Sequence, residues 1–437
     1  MKNALFSLIL ACSAAAYAET LLIDLPTALR LADEKNTELA IEVQRVARAE
    51  LDQSAAWYQW IPTLRIGAGY AWQDGAVQET SGNVMDVERN ARYYGMGGMT
   101  QPGLSVGLDL SEAIFAPLAA KQRLHAAELG EESARLRVML EVASAYYELV
   151  RSTREVEVAK LSADHADKLA KQTADFSSSG EGLQADAERA EVESLIQQQK
   201  VELAMERTEA AGIKLARLLR LDNPVQLVPA DRMIAPLALL DAGADLQSLV
   251  AQALDDRPEI GRNHAELAAA DARLKQEKFG LFLPKVEVGY SYGNFGGGPG
   301  TGNDYDDRRN DLYGVVYWQF DSLGLRNRNN IRKQRAMMEE AKAMQEQTRV
   351  DIAAEVRLAH AELNGARRRL DLAKRAVDGA RKSYDLNLER VFENQGLPLE
   401  ALQSIKALAE AEGLYLNVAT QYNLAQLRLV SATGKGL

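Results

Sequence analysis

The chain has 437 residues, of which 47% are hydrophobic and only 6% aromatic, and its formal net charge is −11. This length could hold two or three ordinary domains, but the composition favours long helices in thin layers over one thick core. The negative charge argues against nucleic acid as a partner, because phosphate binding needs a basic face.

The first residues are typical of an export signal. Lys2 supplies a positive start, an apolar run covers residues 4–11, and Ala16-Tyr17-Ala18 has the small residues of a cleavage site. We therefore predict a signal peptide over residues 1–18. A second interpretation stays open, in which Cys12, the only cysteine, is lipidated instead of being lost with the leader. The rest of the sequence has no run of 18 apolar residues, so it predicts no transmembrane helix.

The first half of the chain alternates long helical patterns with two short strands. A proline ends the first helical pattern, and the apolar spacing then changes to every second residue. In chain order, the predicted elements are a helix 24–60, a strand 64–72, a polar loop 73–102, a strand 104–110, a helix 117–176, a turn 177–182 and a helix ending at 221.

The second half repeats this order. It predicts a helix 246–279, a strand 286–292, a polar loop 293–311, a strand 312–320, a helix 325–391, a turn 393–398 and a helix ending near 434. Matching landmarks, such as Pro62 with Pro284 and Gly180 with Gly396, lie about 220 residues apart, which indicates an internal duplication. We predict two repeats, 19–221 and 246–437, joined by an irregular connector over 222–245.

The strands have one apolar face and one face of glycine, serine and charged residues. Their length of about nine to eleven residues suits a tilted strand that crosses a membrane. Four strands cannot close, and roughly eight are needed for a barrel, so the barrel must be shared between chains. An ordinary half-buried hairpin on a soluble core is the alternative. The residues predicted to face lipid are Leu64, Ile66, Tyr70, Val106, Leu108, Val286, Val288 and Tyr290.

The ordered set of helices, strands, Pro62 and Pro284 strand starts and Gly180 and Gly396 turns resembles the TolC-type outer-membrane efflux proteins. The resemblance implies a mostly α-helical fold with a small membrane β-barrel portion. Long coiled-coil helices would form a tunnel, and four strands per chain would contribute to a shared barrel in a homotrimer. The chain would lie in the outer membrane with a long periplasmic portion. It would be a passive exit duct for efflux or type I secretion, docked to a periplasmic membrane-fusion adaptor and an inner-membrane transporter.

The same resemblance assigns roles to the helical turns. Gly180, Gly182, Gly396 and Pro398 would mark the periplasmic tips where adaptors dock, although a glycine that ends a helix can serve only the turn. Asp186 would belong to a network that closes the tips, or would only favour the start of its helix.

The family's acidic pore ring corresponds to Leu402 and Ile405 in this chain, which puts an acidic gate in doubt. These two residues either narrow the pore as an apolar ring or pack in a coiled-coil core. Glu400 and Gln403 are the polar candidates for the pore surface.

The sequence predicts no enzyme, no cofactor and no metal site. Its four histidines are scattered and lack zinc-ligand spacing. A secreted metalloenzyme is therefore a weak rival. The other rival is a periplasmic coiled-coil scaffold or adaptor without a membrane barrel, which the paired strands argue against.

Overall fold

A computed structural model describes residues 19–96, 104–180, 182–221, 225–231, 233–240, 245–297, 307–392 and 398–436. The predicted signal peptide, Cys12 and Gly396 lie outside these residues. The chain divides into two compact units. We call the unit of Met1–Ile41, Ser133–Arg257 and Ile352–Leu437 the helical unit, and the unit of Glu42–Glu132 and Pro258–Asp351 the sheet unit.

The helices of the two halves correspond in order and in length. Counterparts have 11 and 11, 21 and 22, 69 and 68, and 35 and 35 residues. A short 3₁₀ turn follows the second helix of each half, at Tyr58–Trp60 and Gly280–Phe282. The repeat boundaries themselves stay a prediction. The helices are α1 (Leu25–Lys35), α2 (Thr37–Trp57), α3 (Leu110–Ser178), α4 (Gln184–Leu218), α5 (Leu246–Asp256), α6 (Pro258–Phe279), α7 (Leu325–Phe392) and α8 (Pro398–Ala432).

The first helix of each half is broken where the sequence predicted continuity. Asn36 separates α1 from α2 with an extended backbone, and its side-chain oxygen accepts the Glu38 N–H at 2.8 Å. This capping bond satisfies a donor that would otherwise be orphaned at the start of α2. In the second half the break precedes Pro258, whose ring disfavours a helical residue before it.

The long helix α3 begins earlier than predicted. The side chain of Asp109 accepts hydrogen bonds from the backbone N–H groups of Ser111 and Glu112, at 3.0 and 3.2 Å. Asp109 therefore acts as the N-cap, and the helix starts at Leu110. The prediction of a start at Pro117 was wrong, because a proline within the helix gave a false start signal.

The sheet unit contains an antiparallel sheet of six strand segments. They are β2 (Thr63–Ile66), β3 (Gly69–Gln78), β4 (Val84–Met96), β5 (Leu104–Asp109), β7 (Lys285–Gly297) and β8 (Asp307–Tyr317). The segments align as four lines, because β2 continues into β3 and β4 lies end to end with β5. β7 lies inside the sheet, with β8 on one side and the β4–β5 line on the other, and β2 and β3 pair with β5 and β4. Among the described residues, β2–β3 and β8 form the two unpaired edges of this sheet.

Two predicted loops are partly strand. The segment 73–102 contains the end of β3, a turn with Gly82 at φ +90°, and all of β4. In the second half, β7 continues to Gly297 and β8 begins at Asp307 and ends at Tyr317. Polar residues occupy both faces of these extensions, so they lack the apolar alternation that predicts a strand.

The connector is also more regular than predicted. In the helical unit, β1 (Glu19–Ile23) pairs in parallel with β6 (Val225–Pro229). Asn423 of α8 holds the following chain, since it accepts from the Leu237 N–H at 2.8 Å and donates to the Ala235 oxygen at 2.9 Å. Strands of five residues are too short to predict from alternation alone.

Candidate functional site

The predicted lipid-facing residues share one face of the sheet. The register aligns Leu64, Val106 and Val288 in one row across three strands. Neighbouring rows are Ile66, Leu104, Tyr290 and Leu312, and Leu108, Val286 and Val316. Ile66 and Leu312 are 77% and 78% exposed. An exposed apolar face of this size is unfavourable in water, so an apolar phase must cover it. That this phase is lipid stays a prediction.

The opposite face of the same sheet is polar. Glu287 is buried, forms an ion pair with Arg65 at 3.6 Å, and accepts a hydrogen bond from the Tyr313 hydroxyl at 3.2 Å. The Tyr313 ring lies flat against Gly289, where an added Cβ would approach the ring to 2.1 Å. Lys285 and Asp109 form a further ion pair at 3.2 Å. The two faces therefore differ sharply in polarity, as the alternation predicts.

Exposed aromatic residues surround one end of the sheet. They lie directly before β2, directly before β7 and directly after β8, and the antiparallel register brings these three points to the same end. The Trp318 indole donates to the Phe282 oxygen at 3.3 Å. Aromatic residues at this position are typical of a membrane–water interface. We name this set the aromatic belt, and it comprises Trp57, Tyr58, Trp60, Phe279, Phe282, Trp318 and Phe320.

The turn between α3 and α4 depends on its glycines. Gly180 has φ +80°, a conformation that residues with a side chain rarely adopt. Gly182 donates to the Phe176 oxygen at 2.9 Å, and a Cβ there would lie 3.1 Å from the Ser177 nitrogen. Both glycines are therefore required by the reversal itself. Their role in adaptor docking stays a prediction.

The polar tip candidates have local partners. Asp186, in the first turn of α4, forms an ion pair with Arg189 at 3.6 Å. Glu400, in the first turn of α8, pairs with Arg390 of α7 at 3.2 Å. Pro398 is the first residue of α8, where a proline costs no hydrogen bond. Gln403 is exposed.

Leu402 and Ile405 lie in a core, not on a free surface. They are 6% and 2% exposed and belong to an apolar cluster with Leu169, Ala170, Ala190, Val391 and Ala401. This cluster joins α3, α4, α7 and α8. Both residues therefore contribute to a packed core within the chain, and a role of either one in narrowing the pore stays a prediction.

A buried network of polar side chains lies beside this core and was not predicted from the sequence. Lys406 of α8 pairs with Glu193 of α4 at 2.6 Å, and Gln197 donates to the same carboxylate at 2.7 Å. Ser162 of α3 donates to Gln197 at 3.3 Å. Glu193 and Gln197 are 6% and 1% exposed. The signal available in the sequence was polar residues four apart on the small-residue face of α4.

Next to this polar network, a groove of about 440 Å³ lies between α4 and α8. Val192, Leu399 and Leu402 line it together with Arg189, Gln403 and Lys406. A short distance along the bundle, His165 of α3 stacks on Tyr384 of α7 with ring centres 4.7 Å apart. Burial lowers the pKa of His165, so the ring stays neutral at ordinary pH and stacks without a charge. The tip region is thus a packed four-helix contact with a largely apolar groove beside it.

Within the described ranges, none of the helices has a stretch long and apolar enough to cross a membrane. Where the structure describes the chain, no three histidine, cysteine, aspartate or glutamate side chains form a group that could hold a metal ion.

The chain is similar to known outer-membrane proteins. Residues 249–435, most of the second predicted repeat, match the family described as outer membrane efflux protein. The pyoverdine export outer membrane protein OpmQ of Pseudomonas aeruginosa is 23% identical, over 94% of this chain and 85% of its own length.

Solved structures share the fold over nearly the whole chain. The CmeC outer membrane channel of Campylobacter jejuni superposes with a TM-score of 0.76 at 17% identity, covering 94% of this chain and 86% of CmeC. The outer membrane protein VceC of Vibrio cholerae gives a TM-score of 0.73 at 18% identity, covering 94% of this chain and 96% of VceC. The long-helix and four-line sheet plan is thus common to all three. The chain is therefore similar to outer membrane efflux proteins over residues 249–435, and nearly its whole length has the fold of these outer membrane channels.

Proposed function

We propose that this chain is one subunit of a passive outer-membrane exit channel, in which the sheets of three copies join into one closed barrel. The observation that carries the proposal is the sheet itself, with one exposed apolar face, one polar face and two open edges. In lipid, unpaired edge groups cannot be left without partners, so such a sheet must complete itself with another copy.

The strand directions allow this joining. The four lines of the sheet alternate in direction, so the β2–β3 edge runs antiparallel to the β8 edge. The β8 edge of one copy can therefore pair with the β2–β3 edge of the next in the ladder that the sheet already uses. Three copies supply about twelve strands, which exceeds the roughly eight needed for closure.

The two faces of the sheet fit the two surroundings of such a barrel. The rows that include Val106 and Tyr290 would contact lipid, and the aromatic belt would lie at the membrane boundary. The polar face, with Arg65, Glu287 and Tyr313, would line the water-filled interior. This arrangement accounts for the rows of exposed large apolar residues on the opposite face.

The helices would extend the channel into the periplasm. The tips at Gly180 and Pro398 would dock a periplasmic adaptor, which links the channel to an inner-membrane transporter that supplies the energy. The groove between α4 and α8, which is lined largely by apolar side chains, would be a contact surface for an adaptor helix. Export of a small molecule is supported by the similarity to OpmQ, whose name states pyoverdine export.

We expect the detergent-solubilised, unheated protein to have the mass of three chains plus bound detergent. Light scattering combined with size exclusion measures this mass, and a heated, denatured sample of the same preparation provides the one-chain control. A monomer that stays in solution without detergent would contradict the proposal, because the apolar face would then have no covering phase.

A further inference from the structure

An arginine stripe on α7 lies next to the aromatic belt. Arg328, Arg332 and Arg335 are spaced by four and three residues, so they lie on one side of the helix. All three are exposed. Among the residues that the structure describes, none of them forms an ion pair, although many other exposed arginines do, such as Arg375 with Asp371 at 3.2 Å. The stripe is therefore a set of free cations.

The packing of α7 determines where the stripe points. Asn327 donates to the Glu277 oxygen of α6 at 3.1 Å, and Thr348 accepts from Asn263 of α6 at 2.6 Å. At about 100° per residue, the three arginines are turned by roughly 80–140° from Asn327. They thus lie on the flank of α7 that α6 leaves uncovered.

The stripe is also at a suitable depth. A short 3₁₀ turn at Asp321–Gly324 joins the belt residues Trp318 and Phe320 to the start of α7. The helix rise of about 1.5 Å per residue puts Arg328, Arg332 and Arg335 roughly 5, 10 and 15 Å from Leu325. Side chains on a helix lean toward its N-terminus, which here is the belt end. Headgroups occupy about 5–8 Å beyond the hydrocarbon, so the guanidinium groups of Arg328 and Arg332 can reach that layer, and Arg335 lies on its outer side.

We propose that Arg328, Arg332 and Arg335 bind the phosphate of anionic phospholipids in the leaflet next to the helices. This inference rests on the proposed function, because it needs the belt to lie at a membrane boundary. Guanidinium groups match phosphate geometry and hold it with paired N–H donors. The adjacent aromatic rings contact the acyl chains, so the lipid is held at both its polar and its apolar part.

Native mass spectrometry of the detergent-purified full-length protein tests this binding, with added phosphatidylglycerol or phosphatidylcholine of equal chain length. We expect the wild type to retain phosphatidylglycerol in preference. The Arg328→Gln/Arg332→Gln/Arg335→Gln variant should retain at least fivefold less of it, with no change for phosphatidylcholine. Inorganic phosphate should not displace the lipid, because it lacks the acyl chains.

The matched control removes three other exposed arginines from the same helix, as Arg357→Gln/Arg367→Gln/Arg368→Gln, and should bind lipid like the wild type. Replacing the stripe by three lysines should keep much of the preference, since the charge remains. Equal phosphatidylglycerol retention by the stripe and control variants overturns the inference. So does loss of the oligomer in the stripe variant alone, because the arginines then contact a neighbouring subunit. A wild type that is itself monomeric would instead count against the proposed function.

Discussion

Replacing Val106 with arginine is expected to destabilise the assembled protein by about 2–4 kcal/mol and to reduce its amount in the outer membrane. Val106 lies in the middle of an apolar row, between Leu64 and Val288. A charge on the lipid face at mid-depth must leave water without a partner, and this cost is typical of such positions. The measurement is the fraction of oligomer that resists denaturation in unheated membrane extracts.

Val315→Arg is the matched control, because it makes the same change on the opposite face. Val315 pairs with Glu287 in the ladder, so the new cation would lie on the polar side beside a carboxylate. We expect near-normal assembly of this variant. Equal loss in both variants would show that the strands tolerate no arginine on either side, and would contradict the assigned faces.

Leu402→Asp is expected to destabilise the helical tip region by about 3–5 kcal/mol. The change puts a carboxylate into the apolar cluster that Leu402 forms with Leu169 and Val391, where an exposure of only 6% leaves it almost no water. We expect earlier loss of helix in thermal circular dichroism and faster proteolysis near the Gly180 turn. Gln403→Asp changes the exposed neighbour and should leave both unchanged.

The opposite outcome is equally informative. If Leu402 lined the pore, an aspartate there would stay in water and would restore the acidic ring that the family resemblance leads one to expect. The variant would then be as stable as the wild type and would shift channel conductance toward cations. That result would contradict the placement of Leu402 in the helical core.

The sequence predicted those features that depend on the spacing of residues within a single segment. Alternation at Leu64 and Ile66, and again at Val286 and Val288, predicted faces that the strand register now aligns. The predicted start of α7 at Leu325 agrees with the structure. Gly180 predicted a reversal of the chain, since glycine readily adopts the positive φ that the end of a helix often requires.

Features that depend on pairing between distant segments could not be predicted in this way. β4 has charged residues such as Asp86 and Glu88 among its apolar ones, and only its backbone bonds to β3 and β7 make it a strand. The ion pair between Lys406 and Glu193 forms only because α8 and α4 bring these two residues side by side. The period of a single helix shows which side is buried but not which partner it meets.

Disulfide cross-linking tests whether the two open edges of the sheet pair between chains. Arg65→Cys at one edge is combined in turn with cysteine at Asp311, Tyr313, Val315 or Tyr317 of β8, with the single variants as controls. Within one chain these edges are three strand spacings apart, about 14 Å, which is too far for a disulfide. We expect at least one pair to oxidise to a covalent trimer on a non-reducing gel. Disulfides formed only within single chains, or none in any of the four pairs, would contradict it.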